Sequence, residues 1–310
     1  MKIAVVGPGA LGCLMAAYLS NRNETWLLDH NRDRAALLDR QGVILEREKL
    51  VVKRPVRATS DPKIIGTADL ILLCIKSYSI ENAILSAKPL AGTDSLIIPL
   101  QNGIGHLSLL PRLLRDTYWG LGVTSHGATL AAPGHVLHRG KGLTRIGFLG
   151  EDGPAKKKEL ICRAASALTE ADIETEIVPD IRNHIWAKLM VNIGINALTA
   201  IYDCPNGALL ESAEISALLE KAVQEGIVVA RQKGITFAQA PLAITRKVCQ
   251  DTAANISSML QDVRAGRKTE IDAINGALVN AAEKMGIGVP INKELVRKVK
   301  EIEAKYNDFT

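Results

Sequence analysis

A glycine-rich turn near the start of the chain constrains the fold more than any other feature of the sequence. The turn lies between an apolar, β-branched run at 2–6 and an apolar segment of helical composition at 13–20, and consists of Gly7, Pro8, Gly9, Ala10, Leu11 and Gly12. A GxGxxG motif between a strand and a helix is typical of a dinucleotide-binding unit. Gly7 permits a tight turn, Gly9 lets the backbone approach a pyrophosphate, and Gly12 lets the helix pack on the strand. The motif therefore predicts a dinucleotide site at the N-terminus of the first helix.

Strands and helices alternate from this turn to residue 178. After Lys2–Val6, strands are predicted at Glu24–Asp29, within Val43–Ala58 (a β-hairpin turning at Glu46–Lys49, or two short edge strands), Asp69–Ile75, Ser95–Leu100, Trp119–Thr124, Leu143–Leu149 and Ile173–Val178, with helices running to about Arg40 and over Ala155–Leu168. This alternation predicts an α/β fold of the Rossmann type, with a doubly wound parallel sheet.

The character of the chain changes at Asp180. No strand is predicted beyond this point, and five segments punctuated by glycine and proline have helical composition: Ile185–Ile201, Leu209–Lys233, Ala238–Arg264, Thr269–Lys284 and Asn292–Tyr306. A chain of 310 residues is long enough for two cores. The sequence therefore predicts an α/β domain over 1–179 and an all-α domain over 180–310.

Polar residues at three strand ends are candidates for ligand contacts. Asp29 lies about 20 residues beyond the glycines, where an acidic residue often binds the ribose 2′-hydroxyl and selects NAD. His30, Arg32 and Arg34 follow it and could hold a 2′-phosphate instead.

Ligands of open α/β sheets bind outside the carboxyl ends of the strands. We therefore expect Lys76 to meet a cofactor phosphate or ribose, and Asn102 to meet the nicotinamide ribose or the substrate. A surface lysine and an ordinary Asn-Gly turn are the alternatives.

Three polar residues interrupt the apolar segment Ile185–Ile201. Lys188, Asn192 and Asn196 are four apart and therefore lie along one face of a helix. Such groups need partners, because burying them unpaired costs several kcal/mol. The stripe indicates either a bundle helix with satisfied polar contacts or a helix that carries a catalytic cation and two amides into a cleft.

Two further polar positions are unusual for a plain helical bundle. Asn255 and Ser258 are three apart on one face of the helix predicted at Ala238–Arg264. Glu270 falls in the first turn of the next predicted helix, where the helix dipole favours a carboxylate in any case. Capping and catalysis are equally good explanations of Glu270 at this point.

Composition excludes several classes of protein. The net charge is only +5, and the one block of like charge, Lys156–Lys158, is typical of a solvated helix face rather than a nucleic-acid site. The five cysteines are scattered without a CxxC pair, which argues against disulfides or zinc and favours a reducing compartment. His126, His135 and His138 lack metal-ligand spacing, so no metal site is expected and these residues are interpreted as structural or rim residues. Lys188 breaks the longest apolar run, so we expect no membrane span and a cytoplasmic protein.

Seven motifs together resemble the ketopantoate reductase (2-dehydropantoate 2-reductase) family along essentially the whole chain. They are G-P-G-A-L-G at 7–12, C-I-K at 74–76, Q-N-G at 101–103, W-A-K-L-x-x-N-x-x-x-N-A-L-T-A at 186–200, C-P-N-G at 204–207, N-I-S-S-M-L-Q-D at 255–262 and T-E-I-D-x-I-N-G at 269–276. The last four together are far more specific than the glycine motif. The resemblance implies a C-terminal helical bundle like that of 6-phosphogluconate dehydrogenase. It also implies NADPH-dependent reduction of 2-dehydropantoate to (R)-pantoate, on the way to pantothenate and coenzyme A.

The functional residues of the family carry over to matching positions. The resemblance makes Lys188 the catalytic lysine and Glu270 the acidic residue that works with it and with the cofactor. Substrate and cofactor contacts are implied at Asn102, Asn192, Asn196, Asn206, Asn255 and Ser258, and further cofactor contacts at Lys76 and near Ala128. The departure is Asp29-His30, where well-known NADPH enzymes of the family have an arginine. NADPH is thus the implied cofactor, and Asp29 leaves NADH open.

The chemistry of a keto acid agrees with these assignments. Hydride addition to the carbonyl carbon builds negative charge on oxygen, so a cation and proton donor must lie beside it. Burial should lower the pKa of Lys188 toward neutrality, and a nearby Glu270 should raise it again. A paralogous 2-keto-acid or hydroxyacid dehydrogenase is an alternative, which a substrate panel would distinguish. A non-catalytic nucleotide-binding regulator is another, against which the intact Lys188 and Glu270 argue. The apolar helices of the second domain leave a homodimer open.

Overall fold

The chain forms two compact units. A computed structural model describes residues 1–48, 50–150 and 155–306. The first unit comprises Met1–Gln101 and Ser108–Ile181, and the second comprises Asn102–Leu107 and the residues from Arg182 onward. The single boundary predicted near Pro179 did not include the short segment 102–107, which leaves the first unit and returns to it.

A six-stranded parallel sheet forms the centre of the first unit. The strands of this unit are β1 (Lys2–Val6), β2 (Glu24–Leu28), β3 (Val43–Arg47), β4 (Leu50–Arg54), β5 (Arg57–Thr59), β6 (Ala68–Leu73), β7 (Ala91–Pro99), β8 (Tyr118–Trp119), β9 (Leu121–Thr124), β10 (Gly127–Ala132), β11 (His135–Gly140), β12 (Thr144–Gly147) and β13 (Thr175–Val178). The helices are α1 (Ala10–Leu19), α2 (Arg32–Gln41), α3 (Pro62–Ile65), α4 (Ile80–Ala87), α5 (Leu110–Leu113) and α6 (Ala155–Glu170). The sheet has the order β5-β2-β1-β6-β7-β8 with every pairing parallel, which confirms the predicted doubly wound fold.

Two smaller sheets differ from the prediction. β3 and β4 form the β-hairpin predicted within Val43–Ala58, but they pair antiparallel in a separate sheet of order β10-β11-β3-β4, whereas β5, which starts at Arg57, is an edge strand of the main sheet. Only two residues join them, and so short a connection can form a hairpin but not a parallel crossover. Position 49 of the predicted turn lies outside the described residues. The last predicted strand, β13, pairs with β12 in a three-stranded sheet that includes β9.

The strands of the main sheet are continuously apolar because both of their faces are covered. Ile3 and Val5 of β1 have no exposed surface, and neither have Leu70 and Leu72 of β6. Burial on both faces removes the alternation expected of a half-exposed strand. The covering helix α1 is itself buried from Gly12 to Leu19, which explains its lack of a polar face.

All the regular secondary structure of the second unit, among the residues that the structure describes, is helical. Its helices are α7 (Arg182–Tyr202), α8 (Ala213–Gln232), α9 (Pro241–Asp251), α10 (Ser258–Arg264), α11 (Asn275–Glu283) and α12 (Pro290–Ala304), with a 3₁₀ turn at Asn206–Leu210. By length and composition α7 could cross a membrane, with a mean hydropathy of 1.3 over its most apolar window. However, 67% of that window is buried inside the unit, as in the central helix of a bundle.

Two predicted helix boundaries in this unit are wrong. The helix predicted at Ala238–Arg264 is interrupted between Asp251 and Ser258, so Asn255 and Ser258 do not share a helical face. The reason is local hydrogen bonding: the Ser257 hydroxyl accepts from the Leu260 amide at 3.1 Å and starts a new helix. The helix predicted from Thr269 begins only at Asn275.

Glu270 therefore precedes α11 and does not cap it. Its backbone carbonyl accepts hydrogen bonds from the amides of Ala273 and Ile274, at 3.0 and 3.1 Å. These bonds form a tight turn ahead of the helix. Capping of α11, one of the two explanations open for this carboxylate, is thereby removed.

A carboxylate on α8 supplies the N-terminal cap of α12. Glu225 accepts from the backbone amides of Ile291 and Asn292 at 2.8 and 3.0 Å, and from the Asn292 side chain at 2.8 Å. The Asn292 oxygen in turn accepts from the buried Asn275 amide at 2.9 Å. A helix end needs such acceptors for its first amides, and a negative charge there is favourable.

We expect Glu225→Ala to lower the free energy of unfolding by about 2–3 kcal/mol, because several enclosed donors lose one shared acceptor. Urea denaturation would measure the change. The neighbouring Gln224→Ala, on the exposed side of α8, should change stability by less than about 0.5 kcal/mol. Equal losses in the two variants would contradict a specific cap.

Candidate functional site

The glycine turn has the geometry of a pyrophosphate cradle. Gly7 adopts a φ of +94°, which strains any other residue, and a Cβ on Gly12 would overlap the Gly7 carbonyl oxygen. A Cβ on Gly9 would meet nothing within 4 Å, so the backbone is open on that side. Among the described residues no side chain caps the start of α1. Free amides, an open approach and the helix dipole fit the diphosphate of a dinucleotide.

Three strand ends meet around this turn. The Gly7 amide donates to the Leu28 carbonyl at the end of β2 at 2.9 Å, and the Cys74 amide after β6 donates to the Val6 carbonyl at 2.8 Å. Asp29 and Lys76 follow these ends, and the half-buried Lys76 occupies the N-cap position of a 3₁₀ turn at Ser77–Ser79. The predicted cofactor residues after β1, β2 and β6 therefore share one edge of the sheet.

Asp29 is enclosed by an ion pair that the sequence did not predict. Its carboxylate accepts from Arg34 Nε at 2.5 Å and Nη2 at 2.7 Å, and the Asn31 amide donates to it at 3.1 Å. The side chain of Asp29 has no exposed surface, whereas that of His30 is 90% exposed. Arg32, the other predicted phosphate ligand, is exposed at the start of α2.

A chain of hydrogen bonds links two of the histidines to α1. The Tyr18 hydroxyl lies 2.9 Å from His138 Nδ1, and His138 Nε2 lies 3.0 Å from His126 Nδ1. Burial lowers the pKa of His126 to about 4, with a smaller contribution from His138. The half-buried Ala128, the predicted nicotinamide contact, pairs with His138 across β10 and β11. The described residues contain no cluster of side chains that could hold a metal ion.

Lys188 and Glu270, both in the second unit, interact electrostatically. Lys188 is half-buried. Burial lowers the pKa of its ammonium group to about 8, and the negative charge of Glu270 opposes the shift. Glu270 is only 6% exposed, and the side-chain amide of Asn102 donates to its Oε2 at 3.4 Å. The structure thus brings three of the predicted site residues together.

The segment 102–107 is fixed to the turn that carries Glu270. The amides of Ile104 and Gly105 donate to the Ala273 carbonyl at 3.1 and 3.4 Å. Gly103, with a φ of +78°, makes this possible, because a Cβ there would overlap the Ala273 carbonyl oxygen. The backbone of the segment therefore holds Asn102 in place beside the carboxylate.

His106, near the end of this segment, is a candidate site residue that was not predicted from the sequence. It is 3% exposed, and its Nδ1 has no hydrogen-bond partner among the described residues. Burial lowers its pKa to about 4, with Glu270 acting in the opposite direction. No periodicity or motif marked this residue; the only signal was its place four residues after Asn102.

The remaining predicted residues divide into enclosed and exposed groups. Asn196 and Asn206 are buried, and the Nδ2 atom of the half-buried Asn192 has no partner among the described residues. The Asn206 side chain donates to Thr252 Oγ1 at 2.9 Å, and its backbone amide donates to the Asn255 carbonyl at 3.0 Å. Asn255 and Ser258 are themselves exposed.

A buried hydroxyl pair ties this loop to the polar helix. Thr199 of α7 donates to the hydroxyl of Ser257 at 2.7 Å, and both residues are buried. This bond connects the helix that bears Lys188, Asn192 and Asn196 to the start of α10, where Ser258 lies. The second unit therefore gathers a lowered-pKa lysine, a carboxylate and several amides and hydroxyls.

Comparisons with known proteins place this arrangement in context. Residues 3–151 match the family model described as Ketopantoate reductase PanE/ApbA, and residues 180–303 match Ketopantoate reductase PanE/ApbA C terminal. A 2-dehydropantoate 2-reductase of Halobacterium salinarum is 34% identical over 97% of this chain and 98% of its own length.

Two solved structures with the same architecture belong to enzymes with different named activities. A PanE/ApbA family ketopantoate reductase from Ralstonia eutropha JMP134 has a TM-score of 0.89 and 30% identity, over 99% of this chain and 100% of the other. A D-mandelate dehydrogenase in ternary complex with NADH and anilino(oxo)acetate has a TM-score of 0.91 and 26% identity, over 99% of both chains.

Proposed function

Because the chain belongs to the ketopantoate reductase family, we propose that it reduces 2-dehydropantoate to (R)-pantoate with NADPH, in the cytoplasm, on the route to pantothenate and coenzyme A. The observation that carries the proposal is Lys188, whose pKa is lowered to about 8 by burial beside Glu270. A buried lysine in this range can donate a proton near neutral pH. The glycine turn at 7–12 supports a dinucleotide as its redox partner.

The proposed roles follow from what the carbonyl oxygen requires. The nicotinamide, when bound, supplies the hydride that forms the new C–H bond. As the carbonyl π bond breaks, Lys188 stabilises the growing negative charge and transfers a proton from Nζ to the oxygen, leaving a neutral amine. Glu270 keeps Lys188 protonated in its enclosed setting, since its charge raises the pKa of the ammonium.

The remaining polar residues would hold the substrate without competing for its proton. Amides and hydroxyls donate and accept hydrogen bonds but do not titrate near neutral pH. We assign carboxylate and hydroxyl contacts to residues of the second unit, namely Asn102, Asn192, Asn196, Asn206, Asn255 and Ser258. In the first unit the glycine turn would hold the pyrophosphate, Lys76 a phosphate or ribose, and Ala128 the nicotinamide.

A substrate panel tests the proposal. NADPH oxidation would be followed at fixed enzyme concentration with 2-dehydropantoate, phenylglyoxylate and short-chain 2-keto acids. We expect kcat/KM to be highest for 2-dehydropantoate, because its hydroxyl and carboxylate both find polar partners. The similarity to a D-mandelate dehydrogenase supports a second candidate, reduction of an aromatic 2-keto acid. A higher kcat/KM for phenylglyoxylate would replace the first proposal by the second.

The dependence of the reduction on pH tests the role of Lys188. We expect kcat to fall as pH rises through about 8, because only the protonated lysine, whose pKa lies there, can donate. Glu270→Gln removes the charge that raises this pKa, so the falling limb should move to lower pH by about one unit. The exposed Glu283→Gln, which loses only its pairing with Lys293, should leave the limb in place. A limb that stays unchanged or moves upward in Glu270→Gln would contradict the proposed coupling.

A further inference from the structure

The pair Asp29–Arg34 bears directly on how the chain would distinguish NADPH from NADH. An acidic residue at the end of the second strand selects NAD when its carboxylate accepts from the ribose 2′-hydroxyl. Here Arg34 occupies both oxygens, at 2.5 and 2.7 Å, and the Asn31 amide binds one of them as well. The Asp29 side chain has no exposed surface. It cannot reach a ribose hydroxyl unless a bidentate, charge-assisted pair is broken first.

Arg34 is the exposed member of the pair. Its side chain is 35% exposed, so the pair presents a cation to its surroundings and hides the anion. A guanidinium has five N–H donors, and Asp29 takes one from Nε and one from Nη2. The other donors have no acceptor among the residues that the structure describes. A rigid fork with spare donors is well suited to a phosphate, which guanidinium binds in a planar, bidentate manner.

The location of the pair matches the part of the cofactor that differs between the two dinucleotides. Leu28, directly before Asp29, accepts a hydrogen bond from the Gly7 amide at 2.9 Å. Arg34 stands in the first turn of α2, where the Asn31 side chain caps its backbone amide at 2.9 Å. A dinucleotide on the glycine turn has its adenosine ribose at the end of the second strand. The 2′ position of that ribose bears a phosphate in NADPH and a hydroxyl in NADH.

We infer that Arg34 recognises the 2′-phosphate of NADPH, and that Asp29 is a positioning residue that holds the Arg34 guanidinium rather than a ribose ligand that selects NADH. The inference rests on the proposed function only in so far as the chain binds a nicotinamide dinucleotide. It predicts that NADH binding does not depend on the Asp29 carboxylate, whereas an aspartate that bound the ribose would be needed for it. It also explains how an aspartate can stand at this position in an enzyme that uses NADPH.

Direct binding measurements test the inference without any turnover. NADPH and NADH would each be titrated into the full-length protein without keto acid, with dissociation constants taken from nicotinamide fluorescence. Arg34→Gln should weaken NADPH binding at least tenfold and change NADH binding less than threefold. Asp29→Asn should also leave NADH binding within threefold, because the carboxylate does not contact the ribose. Arg32→Gln, at the other predicted phosphate ligand in the same turn, should change neither constant by more than threefold. Arg40→Gln, on an exposed residue in the last turn of α2, is the matched control.

Several outcomes would overturn the inference. A tenfold loss of NADH affinity in Asp29→Asn would make Asp29 the ribose ligand after all. A loss of NADPH affinity in Arg32→Gln rather than Arg34→Gln would move the phosphate site to Arg32. The double variant Asp29→Asn/Arg34→Gln should bind NADPH as Arg34→Gln does, since Asp29 acts only through the guanidinium. Thermal melting of each variant separates lost binding from lost folding. If the unaltered protein bound neither dinucleotide, both this inference and the proposed function would fail. The other outcomes above would overturn the inference alone.

Discussion

Lys188→Ala should lower kcat for the reduction of 2-dehydropantoate by about 10³-fold while leaving the dissociation constant of NADPH within about twofold. The reason is that the lysine is the proposed source of both the proton and the stabilising charge for the developing alkoxide. Its ammonium has a pKa of about 8, lowered mainly by burial, so no water molecule can equal it as an acid. Steady-state kinetics with saturating NADPH, together with fluorescence titration of the cofactor, would measure the two effects separately.

The stability of the same variant provides an independent check. A folded-state pKa of about 8, below the ordinary 10.5, means that the unfolded chain holds this proton more tightly. Between these two values the unfolded state binds more protons, so this group makes folding more favourable as pH rises through that window. Removing the enclosed ammonium should therefore leave the melting temperature at pH 7 unchanged or raised, even though activity is lost.

A control lysine separates the role of Lys188 from a general effect of lost charge. The Lys247 side chain is 72% exposed and pairs with Asp251, one turn along α9. Lys247→Ala should keep kcat within about twofold of the unaltered protein, as expected for a surface ion pair. Near-normal turnover in Lys188→Ala would remove the proposed proton donor, whatever the control does.

Gly103→Ala should lower the free energy of unfolding by about 3 kcal/mol. Gly103 has a φ of +78°, and its Cβ would overlap the Ala273 carbonyl oxygen. The backbone preference alone costs about 1–2 kcal/mol, and displacing the carbonyl adds the strain of overpacking, for a total of about 3 kcal/mol. The amides of Ile104 and Gly105 would lose their acceptor, and kcat should fall with them because Asn102 no longer meets Glu270. Urea denaturation and kinetics of the same preparation would measure both losses.

Gly286→Ala is the matched control for the backbone contribution. Gly286 also has a positive φ, +67°, but its Cβ would meet nothing within 4 Å. That variant should lose only about 1 kcal/mol and keep full activity. If the two alanines cost the same, the contact with Ala273 would contribute nothing to the stability of the segment.

Features encoded by neighbouring residues were predictable from the sequence. The strand, glycine turn and helix at 2–19 form a local unit. The spacing of its apolar residues and glycines is enough to predict its fold. The polar stripe at Lys188, Asn192 and Asn196 follows from helical spacing alone. Each of these needed only residues a few positions apart, which is the range over which a pattern carries structural information.

Features that depend on distant partners, or on local hydrogen bonds that compete with those of a helix, were not predictable. β3 belongs to a separate sheet because β11, about ninety residues later, pairs with it. Glu270 does not cap α11 because its backbone carbonyl closes a turn of its own before the helix. The predicted helix at 238–264 is interrupted before Ser257, whose hydroxyl also accepts a hydrogen bond from Thr199, fifty-eight positions earlier in the chain. His106 drew no attention, since nothing near it in the sequence shows that its imidazole is enclosed beside a carboxylate.

The segment 102–107 has a consequence for how the protein can be made and divided. The hydrogen bond from Asn102 to Glu270 joins residues 168 positions apart. During synthesis, Asn102 therefore leaves the ribosome long before Glu270 has been added to the chain. A fragment beginning at Arg182 would lack the donors that satisfy the Ala273 carbonyl, and we expect it not to acquire the native turn. We therefore expect the helices from Arg182 onward not to form a self-contained unit, because truncation or recombination between residues 107 and 182 would separate Glu270 and Ala273 from the donors at residues 102–105.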